Sequence, residues 1–311
     1  MKIQGVKPSF ANYIRDFFKS STSDAIALGI SLVALASAAI LIRLGLNSMS
    51  PNATIFHRLW IATIALWLIE SCNPKKPQQI CKEKPLPWER GLLVVVAIAS
   101  TASVMCWAWS LTQTSVANST VLRNLTPLFV ALGGWLWYGK LIEPRCAMGM
   151  AVATVGAIAI GCDDLQVGWE HIWGDGIALL SAMLYAVYLM AIERLTARYS
   201  SQEILLWRCG LGFVLMLPLM INEASFFPNS AQEWLVVIAL ALICQVLGQG
   251  LLIYSCKQFS ASFVAFFLLL QPAIAAILAW VIFAESLSSI DVIAFALVMS
   301  GIYLAQSGST A

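Results

Sequence analysis

The sequence predicts an all-α integral membrane fold, ten transmembrane helices arranged as two inverted five-helix repeats, and three observations predict it. Composition is the first: of 311 residues, 60% are hydrophobic and 11% charged, and the mean hydropathy is +0.82. Soluble globular chains carry about 25% charged residues. The second is internal repetition. The stretch from Trp109 to Glu143, laid at an offset of 145 on the stretch from Tyr254, keeps Ser110 with Ser255, Gln113 with Gln258, Ser115 with Ser260, Leu125 with Leu270, Pro127 with Pro272, Ala131 with Ala276 and Trp135 with Trp280. Asp24 with Asp175, Ser50 with Ser200 and Arg58 with Arg208 align at 150 or 151. The third is charge placement. With the N-terminus in the cytoplasm, Lys2, Lys7, Arg15, Lys19, the basic residues from Lys75 to Arg90, Lys140, Arg145, Arg194, Arg198 and Lys257 all fall at the inner face, while Asp163, Asp164, Glu170, Asp175, Glu223, Glu233, Glu285 and Asp291 fall outside.

Taken in order, residues 1–23 form a polar, basic cytoplasmic segment. Phe10, Tyr13, Ile14, Phe17 and Phe18 recur there at helical spacing, as in an interfacial helix. The first apolar run is too long for a cleavable signal and reads as a retained span. With a span taken as about 20 mostly apolar residues, the ten are 25–45, 53–71, 91–111, 117–138, 144–162, 174–193, 204–221, 234–255, 261–283 and 289–307. Residues 24–162 form the first repeat and 174–307 the second. An odd number of spans per repeat forces the second to insert upside down, and both termini then lie in the cytoplasm. Inverted repeats are the architecture of many secondary transporters.

The fourth-span pattern LTPLFVALGGWLWYGKLIE and its counterpart LLQPAIAAILAWVIFAESLS, the small-residue spans GMAVATVGAIAIG and AFALVMSGIYLA, and an arginine in the second span of each half carry a resemblance to a known family. The chain resembles the EamA-type drug/metabolite transporter superfamily over nearly its whole length. That resemblance implies a cavity walled by spans one to four and six to nine, spans five and ten lying peripherally. It also implies export or exchange of small organic metabolites across an inner or plasma membrane. Lys140 departs from the pattern, standing where the family usually has an acid, as Glu285 is in the second half.

A charge inside a span is costly, about 2.5 kcal/mol or more at the helix centre, so the intramembrane arginines ask for a reason. Arg43 reads near the outer end of span one, Arg58 and Arg123 in the outer half, and Arg208 near the inner end of span seven. Two readings stand for each: a planar fork for an anionic group of the solute, or a structural role, with Arg43 snorkelling to the interface and Arg58 and Arg208 pinning helix ends. Arg123 has Leu268 as its repeat mate, so no duty shared by both halves explains it.

Asn118 and Asn124 in span four, Gln271 in span nine, and Gln245 and Gln249 one turn apart in span eight are polar candidates for lining the cavity, or for bonding to neighbouring helices. Tyr185 and Trp109 are further candidates, Trp109 having an interfacial anchor as its other reading. Pro127 and Pro272 each free a carbonyl one turn back, at Arg123 and Leu268, and read as hinges. His57 reads as a packing histidine or a proton-coupling group.

The sequence has no GxxxxGK[ST] phosphate loop, so ATP-driven transport is not expected. The eight cysteines lack metal or redox spacing. No metal, cofactor or nucleic-acid partner is expected, and no enzymatic activity. The expected partners are a small-molecule substrate and the bilayer, with coupling to a proton or counter-solute, and homodimerisation, left open. The alternatives in other classes are an intramembrane enzyme, which two remote histidines and the absence of mid-span acids disfavour, and a channel or scaffold.

Overall fold

The structure, a computed structural model, describes residues 22–45, 49–72, 87–114, 122–138, 144–159, 172–221 and 226–283, with positions 119 and 223 and scattered positions from 293 to 304. The expectations placed on residues 1–21, on Asn118, Lys140, His171 and Glu285, on most of the tenth span and on the side chain of Arg43 fall outside the described residues.

All regular structure among the described residues is helical. The helices are α1 (Thr22–Gly45), α2 (Pro51–Cys72), α3 (Pro87–Ser110), α4 (Thr126–Tyr138), α5 (Pro144–Ala159), α6 (Ile172–Leu195), α7 (Ser201–Met220), α8 (Ala231–Gln258) and α9 (Ala261–Phe283). Seven helices are long and apolar enough to cross a membrane, and α4 and α5 contribute shorter apolar stretches. The exterior is apolar, with Trp67, Leu68, Val94, Leu217 and Val281 exposed, while Ser31, Ser103, Ser181, Arg208 and Gln245 are buried. Hydrocarbon outside and hydrogen-bonding groups inside is the distribution a bilayer demands.

Serines start the helices. The hydroxyl of Ser50 accepts from Ala53 N at 3.1 Å, Ser200 from Glu203 N at 3.2 Å, Ser230 from Glu233 N at 3.1 Å and Ser260 from Phe263 N at 3.3 Å. Each satisfies one of the orphan donors of a first turn, a contribution of about 1 kcal/mol. Ser50 and Ser200, aligned by the repeat, thus do the same work at α2 and α7.

The fourth span is not continuous, in contrast to the expected 117–138. A turn at Asn124 and Leu125 precedes α4, with Leu125 N bonding Leu122 O at 3.2 Å and Leu128 N bonding Leu125 O at 3.0 Å. Pro127 lacks an N–H and crowds the preceding turn. In α9 the same chemistry at Pro272 is absorbed by a single tight 3₁₀ turn over Leu268–Leu270, and the helix continues.

α3 packs along α6 and α1 along α8, α2 on α7, and α4 on α9. α2 also touches α8 and α3 touches α7; α1 touches α9 and α4 touches α6. Exchanging α1 with α6, α2 with α7, α3 with α8 and α4 with α9 maps these contacts onto one another. Individual bonds obey the exchange as well: Ser31 Oγ donates to Gly248 O at 2.8 Å, and Ser181 Oγ donates to Ser103 O at 2.8 Å.

Gly301, among the scattered positions, stands where an added Cβ would collide with the backbone of Gly149 and Ala153, so small residues of the fifth and tenth spans meet within one chain. Gly174, in the first turn of α6, sits as tightly. A Cβ there would stand 2.7 Å from the Gln113 carbonyl carbon and 2.7 Å from Thr114 Cβ. Backbone cannot move aside as a side chain can, so Gly174→Ala is expected to destabilise the protein by about 1–3 kcal/mol. A lowered melting temperature in detergent checks this; an unchanged one would mean that the α3–α6 junction has slack.

Candidate functional site

α6 carries Ser181, Tyr185 and Tyr188 at successive turns of one face, all buried. Two arginines from other helices lie on them. Arg123, in the turn before α4, donates from Nη1 to Ser181 Oγ at 2.8 Å, and its Cζ lies 5.1 Å from the Tyr185 ring centre and 5.2 Å from that of Trp107. Arg208 of α7 places its Cζ 4.9 Å from the Tyr188 ring centre. The two tyrosine rings are 5.4 Å apart. A guanidinium over an aromatic face is attracted by the ring quadrupole by about 0.5–2 kcal/mol, which holds each cation without neutralising it.

Arg208 is only 4% exposed, yet its Nε and Nη1 have no hydrogen-bond partner among the described residues. The same is true of Arg58 Nε, Trp107 Nε1 and Asn124 Nδ2. All of these atoms are donors. The groups acting electrostatically on Arg58 are Cys244, Arg208 and Cys209, and those on Arg123 are Tyr185 and Arg208. No carboxylate is among them. Arginine does not deprotonate in proteins, so among the described residues Arg58 and Arg123 are cations whose electrostatic neighbours are thiols, a phenol and Arg208.

The glutamines of α8 face this group. Gln249 Oε1 accepts from Tyr188 Oη at 3.0 Å, and Gln245 Nε2 lies 3.5 Å from Cys209 Sγ. Gln245 belongs to a π-helical stretch, Leu240–Gly248, that widens α8 opposite Arg58 and Arg208. Single widened turns inside α-helices recur at functional sites.

Of the residues singled out from the sequence, Arg58, Arg123, Arg208, Tyr185, Gln245 and Gln249 are brought together, and Asn124 joins them through its place beside Arg123. α2 and α7 begin at Pro51 and Ser201, ahead of the expected starts at 53 and 204, which places Arg58 and Arg208 each roughly 10 Å along its helix at 1.5 Å per residue. Arg58 Nε and Arg208 Nε and Nη1 bond no carbonyl among the described residues.

Of the two readings of Trp109, its 61% exposure on the outside of the bundle fits the interfacial anchor and not the cavity lining, and Trp107, half a turn away, takes the contact with Arg123. Gln271, half-buried where the 3₁₀ turn of α9 gives way to α-helix, bonds to no member of the group. The carbonyls that the prolines were expected to free are engaged locally, Arg123 O by Thr126 Oγ1 at 2.7 Å and Leu268 O by Gln271 N.

Sequence reasoning passed over Ser181 as a partner, although its spacing from Tyr185 and Tyr188 put all three on one face. It also passed over Cys209 and Cys244, which carry no local signal.

His57 lies apart, in an aromatic cavity of about 310 Å³ whose lining includes Phe56, Trp60, Phe213 and Phe226. Trp60 Nε1 donates to His57 Nδ1 at 2.7 Å, which leaves Nε2 to donate to Phe226 O at 2.8 Å. Indole nitrogen is donor only, so this pair of bonds fixes a neutral imidazole, and a proton added at Nδ1 would meet the indole N–H head-on.

The profile of the EamA-like transporter family matches residues 24–162 and again 172–306. An uncharacterized transporter of Archaeoglobus fulgidus is 22% identical over 89% of this chain and 95% of its own. The pseudopaline exporter CntI of Pseudomonas aeruginosa is 25% identical over 56% of this chain and 60% of its own, and a probable terminal-alkyne amino-acid exporter of Streptantibioticus cattleyicolor is 24% identical over 89% and 91%. A solved crystal structure superposes with a TM-score of 0.80 over 94% of this chain and 99% of that one at 17% identity, which shows a shared fold. Two consecutive matches to one profile, spanning nearly the whole of a multi-pass membrane chain, establish that the protein belongs to the EamA-like transporter family.

Proposed function

We propose that the chain is a secondary exporter or exchanger of small organic anions, amino acids and related amphipathic metabolites, working by alternating access. In this reading ten helices form two inverted five-helix repeats, with both termini in the cytoplasm of an inner or plasma membrane. The exchange symmetry of the helix contacts and of the Ser31–Gly248 and Ser181–Ser103 bonds supports the inverted arrangement. The relatives named as exporters support the direction and the metabolite class.

One observation carries the choice of an anion: among the described residues, the buried side-chain atoms without a partner around Arg58, Arg123 and Arg208 are donors. A solute that enters must supply acceptors. A carboxylate does so with two oxygens and takes the planar fork of an arginine side-on. The arginines, asparagine and glutamines are accordingly the substrate-binding set, with Pro127 and Pro272 as the points about which α4 and α9 bend.

Solute counterflow tests the reading. Proteoliposomes loaded with an unlabelled amino acid are expected to accumulate the labelled compound transiently, as a carrier does and a channel does not. Arg58→Gln is expected to lower anionic counterflow by at least about tenfold, the loss of one charge-assisted hydrogen bond, while sparing neutral solutes. Equal loss of both solute classes would assign Arg58 to packing.

A further inference from the structure

We infer that the aromatic cavity beside His57 is a lipid site, which holds one acyl chain of a phospholipid lengthwise between α2 and α7. The inference is independent of the anion reading and of the arginines.

The wall of the cavity presents carbon alone. Its hydrogen-bonding side chains are all turned to partners within the protein: Trp60 Nε1 donates to His57 Nδ1 at 2.7 Å, His57 Nε2 to Phe226 O at 2.8 Å, and Thr63 Oγ1 to Leu59 O at 2.7 Å. A polar solute would lose its hydration there and find nothing in exchange, a costly transfer. The occupant is therefore hydrocarbon.

The cavity follows one face of a membrane-spanning helix. His57, Trp60 and Ile64 stand at successive turns of α2, so their side of it extends roughly 10 Å along the helix axis, the direction in which acyl chains lie in a bilayer. Phe213 of α7 and Phe226 and Phe227 of the connection to α8 line it as well. Phe56, buried, bridges the two sides, its ring centre 5.3 Å from those of Phe213 and Phe226.

The entrance opens on the bilayer. Ile64 and Phe227 line the cavity and are exposed, and the surface continues into Trp67 and Leu68 of α2 and Val214 and Leu217 of α7, all exposed on the apolar exterior. Lipid is the solvent at that surface, and a void of about 310 Å³ beside it would forfeit dispersion contacts on every ring of its wall. A chain that fills the void gains those contacts and gives up no hydrogen bond. Because hydrocarbon already surrounds the helices, packing alone drives the exchange, and the site reads the chain and not the headgroup.

Native mass spectrometry of the full chain, titrated in detergent with dioleoyl phosphatidylethanolamine, tests this. One lipid is expected to bind at least tenfold more tightly than those that follow it. Shortening both chains from oleoyl to octanoyl is expected to weaken that first lipid at least tenfold, while exchanging the ethanolamine for glycerol changes it less than threefold. Thr63→Phe, which fills the cavity from its wall, is expected to remove the difference between the first lipid and the later ones. The chain and headgroup series need no variant, so a Thr63→Phe chain that fails to fold leaves them intact. Equal affinity for every lipid bound, or affinity that follows the headgroup, overturns the site, as does a tight first lipid that survives in folded Thr63→Phe. Displacement of the first lipid by free leucine or phenylalanine would give the cavity to the solute and overturn the lipid reading too.

Discussion

Replacing Arg208 by glutamine is expected to lower transport of anionic solutes by about 10- to 100-fold while leaving the melting temperature unchanged or higher. The opposite signs follow from one feature. Arg208 is buried, charged, and short of partners at Nε and Nη1, with Tyr188 beneath it and Arg58 and Arg123 within electrostatic reach. In the empty protein such a group costs free energy, because desolvation is repaid only in part by a cation–π contact, and two neighbouring cations add repulsion. With an anion present the same group supplies a charge-assisted bond of about 1.5–3 kcal/mol, and losing it accounts for the fall in transport. Glutamine removes the charge and keeps a donor. Unfolding in detergent and counterflow in proteoliposomes read the two effects separately. A drop of several degrees in melting temperature together with retained transport would make Arg208 a structural residue.

How much of this was legible in the sequence depends on whether a residue's meaning is local or assembled. Helix identity was local: an apolar run in lipid has no choice but to satisfy its own backbone, whereas Ser50, Ser200 and Ser260, read only as residues matched by the repeat, turn out to cap α2, α7 and α9. The span limits were set by hydropathy, which ignores polar capping residues, and α2 and α7 therefore began too late. That small error placed Arg58 and Arg208 two and three residues too near the starts of their helices.

Pro127 predicted a distortion, but how far it would interrupt the fourth span depends on tertiary support. α9 keeps its course through Pro272 and the chain before α4 does not. Trp109 and Trp107 were indistinguishable without knowing the rotation of α3, since helical positions two apart point to opposite sides, about 200° around the axis. The Tyr185 and Tyr188 pair was present as a spacing in α6, but only the packing of α7 and of the turn before α4 onto it brings an arginine over each ring.

Two carboxylates related by the repeat lead to the second large effect: Asp24→Ala and Asp175→Ala are expected to open the cavity to opposite sides of the membrane. Asp24, in the first turn of α1, accepts from Tyr254 Oη near the end of α8 at 2.8 Å. Asp175, in the first turn of α6, accepts from Thr114 Oγ1 just beyond α3 at 2.7 Å. Each bond ties a helix of one half to the third helix of the other. In the proposed inverted arrangement the first lies at the inner face and the second at the outer face.

In that proposed arrangement, rocking the halves about the arginine group strains one tie while keeping the other, so deleting either one favours the state in which it is broken. A hydrogen bond to a charged group contributes about 1.5–3 kcal/mol, which shifts such an equilibrium by about 10- to 100-fold. The reporters are already in place. Cys209 and Cys244 are fully buried beside Arg58, and their modification by a membrane-impermeant thiol reagent, followed by peptide mass spectrometry, measures access from each side. Asp24→Ala is expected to speed labelling from the inner face and Asp175→Ala from the outer. Acceleration from the same face in both variants would mean that the two ties do not stand on opposite sides, and the inverted arrangement would fall with them.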